Sequence, residues 1–170
     1  MSERQQEHRL RAAYERVLSR MKDGAEELSW ENLQKDLDEA VEFESEFEEF
    51  TKDEMALLRA WVERDLKDLR RYLAAGGSGV ASWLGIDLDV LSRKVTDALF
   101  SIADRSVIER EQLEDDLEAV RADYVEGEIA APGRMACVHC AAEVVLESVT
   151  RIEPCHQCGH RYFERARAVI

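Results

Sequence analysis

The chain has 170 residues, enough for one ordinary domain or for a helical domain joined to a small second one. Its 23 basic and 37 acidic residues leave a net charge of −14, which repels phosphate backbones and anionic membranes and disfavours a general nucleic-acid binder. Charged residues make up 35% beside 45% hydrophobic ones, with only two prolines, a mixture typical of long exposed helices.

No apolar run approaches the roughly 18 residues of a membrane span. The stretch from Met1 to Leu10 is charged and lacks the apolar centre of a signal peptide. These features predict a soluble, cytoplasmic protein whose thiols stay reduced and open to metal.

From Leu10 onward, Leu10, Ala13, Tyr14, Val17, Leu18 and Met21 recur three and four apart, the stripe of an amphipathic helix that Asp23-Gly24 would end. A second helix is predicted from Ser29, an N-cap residue, with Leu33, Leu37, Ala40, Phe43, Phe47 and Phe50 on one side. The acidic run from Glu42 to Glu49 interleaves with them and reads as a solvated face, the alternative being a docking strip for a basic partner. Thr51 and Glu54 form a capping box, and Met55, Leu58, Val62, Leu66, Leu69 and Leu73 continue in near-heptad, coiled-coil-like rhythm up to Gly76-Gly77-Ser78-Gly79. That glycine cluster reads as a helix end and hinge, because no Gly-Lys-Ser/Thr follows it and no strand precedes it.

A fourth helix is expected to carry Trp83, Leu84, Leu88, Leu91, Val95, Ala98 and Ile102, starting near Gly85 or Asp87. Ser106 to Glu109 is a second capping box, opening a shorter helix with Leu113, Leu117 and Val120 inward. Trp30, Trp61 and Trp83 lie on or beside these stripes and read as core residues. No Ser-His-Asp set and no His-Glu-x-x-His is present, His8 stands alone among charges, and carboxylate pairs at this density are expected by chance on helix surfaces. The helices therefore nominate no catalytic residue, and a non-enzymatic protein is expected.

At Asp123 the helical period stops. Tyr124 to Ile129 reads as a short strand and turn, and Ala131-Pro132-Gly133 turns into Arg134-Met135-Ala136 and the first cysteine pair. Val144, Val145, Leu146 and Val149 give the next strand and Tyr162 to Arg165 the last. The four cysteines of the chain are Cys137 and Cys140, then Cys155 and Cys158. Two Cys-x-x-Cys pairs at this separation read as a four-thiolate metal site, since thiolates three positions apart on a tight turn can face one ion and the strands between bring the second turn opposite the first.

One structural zinc ion per chain is the expected occupant. A rubredoxin-like iron site uses the same pairs but usually carries glycine after each, and here Ala141 follows Cys140 whereas Gly159 follows Cys158. A site of three cysteines and one histidine could draw on His139, His156 or His160, although four thiolates already suffice, which leaves His160 a supporting role toward a sulfur. Residues 124–170 are too few for a self-sufficient core. Metal binding, on the order of 10 kcal/mol in small zinc modules, is expected to hold the ribbon together, and the ribbon to melt alone without it.

The fold expected is thus α+β: an acidic, all-α antiparallel hairpin or bundle over 1–123, followed by a three-stranded zinc ribbon over 124–170. In layout, the chain resembles the small bacterial zinc-ribbon-containing proteins of unknown function (YbeL-like). The resemblance rests on Tyr124-x-x-Gly127-Glu128-Ile129, Gly133, Cys137-x-x-Cys140 and Cys155-x-x-Cys158-Gly159-His160 with Phe163 close behind, about the last quarter of the chain. His156 departs from the proline common at that position. The resemblance implies the architecture and the metal, and transfers no reaction.

Two classes of function follow. In one, the chain is an adaptor or regulatory module whose ribbon presents a rigid face to a protein partner, or to nucleic acid as a further alternative; the helical stripes bury within the chain or against a second copy. In the other, it is an electron-transfer protein with iron in the four-cysteine site.

Overall fold

The structure, a computed structural model, describes residues 2–22, 30–47, 49–74, 80–85, 92–105 and 124–166. The predicted helix end at Asp23-Gly24, the Ser29 cap, the glycine cluster at 76–79, Leu88, Leu91 and the expected helix from Ser106 to Val120 lie outside the described residues, as does the side chain of Trp30.

Among the described residues, five helices precede the strands: α1 (Glu3–Lys22), α2 (Trp30–Phe47), α3 (Lys52–Ala74), α4 (Val80–Leu84) and α5 (Arg93–Arg105). The predicted stripe of α1 is its buried face, from Leu10 through Met21. Arg9 donates to the carbonyl of Glu49, just past α2, at 2.8 Å and Arg16 to Glu44 at 2.8 Å, so α1 and α2 run antiparallel. The same reversal links α2 to α3, where Gln34 reaches Glu63 and Arg59 reaches Asp38. The first three helices are therefore two antiparallel hairpins in succession, and α5 packs on α1. Within the acidic run of α2, Glu42 and Glu46 are exposed as a solvated face requires, but Glu44 is buried against Arg16.

Helix α3 starts where the capping box places it: the Thr51 amide donates to Glu54 Oε1 at 3.0 Å, and the Glu54 amide to Thr51 Oγ1 at 3.1 Å. Its buried arc is wider than a heptad seam, taking in Trp61, Asp65, Asp68 and Tyr72 beside Leu58, Val62, Leu66 and Leu69. It meets its helical neighbours and the strand segment Ile129–Ala130, while α1 and α4 also reach the strands. The single fourth helix expected around Trp83 to Ile102 is two among the described residues, because Gly85, at φ +68°, ends α4 by donating its amide to the Ala81 carbonyl. No helix among the described residues is long and apolar enough to cross a membrane.

The described residues of the carboxy-terminal part form six short strands: β1 (Tyr124–Val125), β2 (Ile129–Ala130), β3 (Gly133–Cys137), β4 (Glu143–Leu146), β5 (Thr150–Arg151) and β6 (Tyr162–Arg165). They pair antiparallel as a four-stranded sheet in the order β1-β6-β3-β4 and a two-stranded ribbon of β2 with β5. Three strands are expected from sequence. The segment read as a turn into the first cysteine pair is instead the inner strand β3, whose period-two pattern (Met135 and Cys137 buried, Arg134 exposed) is hidden by its brevity and by the preceding Pro-Gly.

Apolar packing falls into two clusters. One lies inside the ribbon around Tyr124, Met135, Cys137, Leu146, Cys155 and Phe163. The other fills the helices and also takes in Ile129, Ala131 and Val149, so the parts on either side of residue 123 share buried surface.

Candidate metal centre

Each cysteine pair sits on a turn closed in the same way. In the first, the Ala141 amide donates to the Cys137 carbonyl at 2.9 Å and the Cys137 amide to the Ala142 carbonyl at 2.9 Å. In the second, the Gly159 amide donates to the Cys155 carbonyl at 2.9 Å and the Cys155 amide to the His160 carbonyl at 3.0 Å. The residue after each pair turns left-handed, with Ala141 at φ +63° and Gly159 at φ +75°. The two knuckles are thus structural repeats, facing each other because β3 carries the first and β6 leaves the second, in antiparallel register with Cys137 opposite Phe163.

The four sulfurs converge within 4.8 Å of one another. Across the knuckles, Cys137 Sγ lies 3.6 Å from Cys158 Sγ and Cys140 Sγ 3.5 Å from Cys155 Sγ. Four thiolates about 2.3 Å from a central ion would stand about 3.8 Å apart, so this spacing fits a tetrahedral metal site. The thiols are all free of disulfides.

The main chain is directed at the sulfurs. Amides of Cys158 and Gln157 donate to Cys155 and hold its thiol down to about 6, whereas Cys158, despite the His160 amide, is pushed up to about 12 by burial and by the other three sulfurs. Four sulfurs this close cannot all ionise without a cation among them.

A family model described as a zinc-ribbon containing domain matches residues 20–167. The chain belongs to this zinc-ribbon family. No curated protein and no solved structure matches it. The match spans α2 through α5 and the strands, and takes in only the last three residues of α1.

Of the residues nominated from sequence in this zinc-ribbon protein, Cys137, Cys140, Cys155 and Cys158 are brought together and the histidines are not. Among the described residues, the converging donor group contains no histidine. His139 and His160 stack on each other with ring centres 4.9 Å apart, and His160 also leans on Tyr162. The support that His160 gives a sulfur comes from its main-chain N–H. Soft sulfur donors in a tetrahedral array suit a structural metal, and four of them leave no open position for substrate.

Sequence reasoning missed a buried polar junction between the ribbon and the helices. Asp65 of α3 and Arg165 of β6 are joined at 2.8 Å with both side chains 1% exposed. Asp65 also accepts from Tyr124 Oη at 2.7 Å, the Ala131 amide at 3.0 Å, Arg64 at 3.1 Å and the Tyr14 hydroxyl. Arg165 donates to the Pro132 carbonyl at 2.9 Å and to Tyr124 Oη at 2.8 Å, and its guanidinium lies 3.9 Å over the Trp83 ring. Trp83 in turn donates to Asp68 at 2.9 Å. Every oxygen of Asp65 is thereby satisfied, the condition for keeping a buried charge. A signal was present in the sequence: Trp61 and Tyr72 share one face of α3 with Asp65 and Asp68, so that a second, mixed stripe runs beside the apolar one.

Proposed function

We propose that Cys137, Cys140, Cys155 and Cys158 hold one structural zinc ion per chain, and that the protein is a non-enzymatic interaction module. The convergence of four sulfurs, each pair on an equivalent knuckle, carries this reading: a site whose four positions are all taken by the protein stabilises a fold and leaves no place for a reacting group. When bound, the metal supplies the charge that lets the four thiolates coexist. The chain's part is to present the sulfurs and to direct the amides of Ala142, Gln157, Cys158 and His160 at them.

The ribbon's outer face supports a protein partner. Val138, Val145 and Tyr162 are 42%, 46% and 41% exposed, and they supply three of the four large exposed apolar side chains among the described residues. The neighbouring charges Arg134 with Glu143, and Arg161 with Glu126, are already paired. Such a face suits a largely uncharged protein surface better than a phosphate backbone.

Two measurements test the reading. Elemental analysis of purified protein is expected to give one zinc per chain with no visible absorption band, whereas a coloured, iron-containing protein would turn the assignment to electron transfer. In a capture experiment with the full chain, a partner retained by the wild type and lost with Val145→Glu and Tyr162→Glu supports the ribbon face; one retained by both variants places the interaction elsewhere.

A further inference from the structure

The strand that leaves the second knuckle carries two inward side chains, Phe163 and Arg165, between outward Tyr162 and Glu164. Phe163 stands opposite Cys137 on β3 and opposite Tyr124 on β1, inside the cluster that packs on Cys137 and Cys155. Arg165, two residues on, enters the helical body and closes on Asp65. Tyr124 does the same from the other strand, with its ring in the ribbon cluster and its hydroxyl on Asp65. One short piece of sheet therefore touches the cysteines at one end and the helices at the other.

We propose that the metal centre is thermodynamically coupled to the helical body through this junction, with Asp65 and Arg165 as positioning residues for the metal site. The proposal rests on the reading of the four cysteines as a metal site. Metal holds the second knuckle, the knuckle holds the start of β6, and β6 places Arg165 against Asp65. By reciprocity, an Asp65 that holds Arg165 favours the strand placement in which the sulfurs converge, so removing the carboxylate must weaken metal binding. This replaces the expectation that the ribbon melts alone. The ribbon cannot leave the helices without exposing Asp65 and the contacts of Ile129, Ala131 and Val149 with the helical core.

The test uses the full chain and zinc, competed against a chromophoric chelator. Asp65→Asn, which keeps the shape and removes the charge, is expected to weaken apparent zinc affinity by about tenfold or more. Asp38→Asn, at an exposed ion pair with Arg59, is expected to leave affinity unchanged. Tyr14→Phe removes a single hydrogen bond to Asp65 and serves if Asp65→Asn does not fold; a loss of about fivefold is expected there. Hydrogen exchange gives the second readout: withdrawing zinc is expected to deprotect amides of α3 around Asp65 together with those of β6. Unchanged α3 protection, or Asp65 and Tyr14 variants that fold and bind within twofold of the wild type, overturns the coupling alone. A wild-type chain that takes up no metal overturns the metal reading, and the coupling with it.

Discussion

Ala141 and Gly159 hold the same left-handed backbone at equivalent places in the two knuckles, and only one of them is a glycine. The absence of glycine after Cys140 had counted in the sequence against a rubredoxin-like turn. In the structure the turn forms anyway, with the strain placed on an alanine. A left-handed L-residue costs roughly 1–2 kcal/mol, offset in part by the lower chain entropy that alanine brings to the unfolded state. Ala141→Gly is accordingly expected to stabilise the protein by about 0.5 kcal/mol, seen as a small rise in the denaturant midpoint without a change in slope. A fall in the midpoint would show that the alanine methyl makes contacts worth more than the strain.

Gly159 and Gly133 distinguish strain from crowding. A Cβ at Gly159 would meet nothing within 4 Å, but one at Gly133 would lie 2.4 Å from Arg165 Nη1 and 3.1 Å from the Leu84 carbonyl. Gly159→Ala should cost about 1 kcal/mol from backbone strain alone. Gly133→Ala displaces a buried guanidinium from its partners and should cost about 3 kcal/mol or more. Equal losses for the two variants in thermal unfolding would mean that Arg165 shifts freely, and the junction would lose its importance.

The metal site was legible because its chemistry fixes spacing: two Cys-x-x-Cys pairs leave few other readings. The α1 stripe and the Thr51 cap were legible for the same reason, each being a local pattern that its own helix satisfies. The junction was not. Asp65 is one carboxylate among 37 acidic residues, and Arg165 sits in a run with Arg161 and Arg167, where charge reads as surface. The mixed stripe on α3 marks Asp65 at most; its pairing with Arg165, 100 residues apart along the chain, is announced by no local pattern. The strand β3 was missed for a related reason, since five residues give a period of two little room to show.

The junction should also write itself into the acid response. Burial alone would raise the Asp65 pKa, and the Arg64 and Arg165 guanidiniums more than reverse it, holding it down to about 2. The unfolded chain, with an ordinary carboxyl near 3.9, binds that proton more readily. The carboxylate therefore contributes stability at neutral pH that is lost as pH falls from about 4 toward 2, on the order of 2 kcal/mol. The gap in melting temperature between wild type and Asp65→Asn is expected to narrow over that window. A gap that stays constant would assign the loss to other carboxylates.

Nucleic acid is the remaining contest between the ribbon and the chain's charge. Of the carboxy-terminal arginines, Arg165 is buried, Arg134 is paired with Glu143 and Arg161 lies 3.7 Å from Glu126. The arginines available to phosphates are thus fewer than composition suggests, in a protein of net charge −14. No shift of random duplex DNA is expected at about 0.15 M salt. Binding at micromolar protein with a steep salt dependence would move a nucleic-acid role to first place.

The central claim is that four cysteines on two equivalent knuckles hold a structural zinc. Its most direct test is the metal content of purified full-length protein beside that of Cys155→Ser. The account predicts one zinc per wild-type chain without visible absorbance, and loss of that zinc in the variant. Iron with a visible band in the wild type, or full zinc retention in Cys155→Ser, would contradict it.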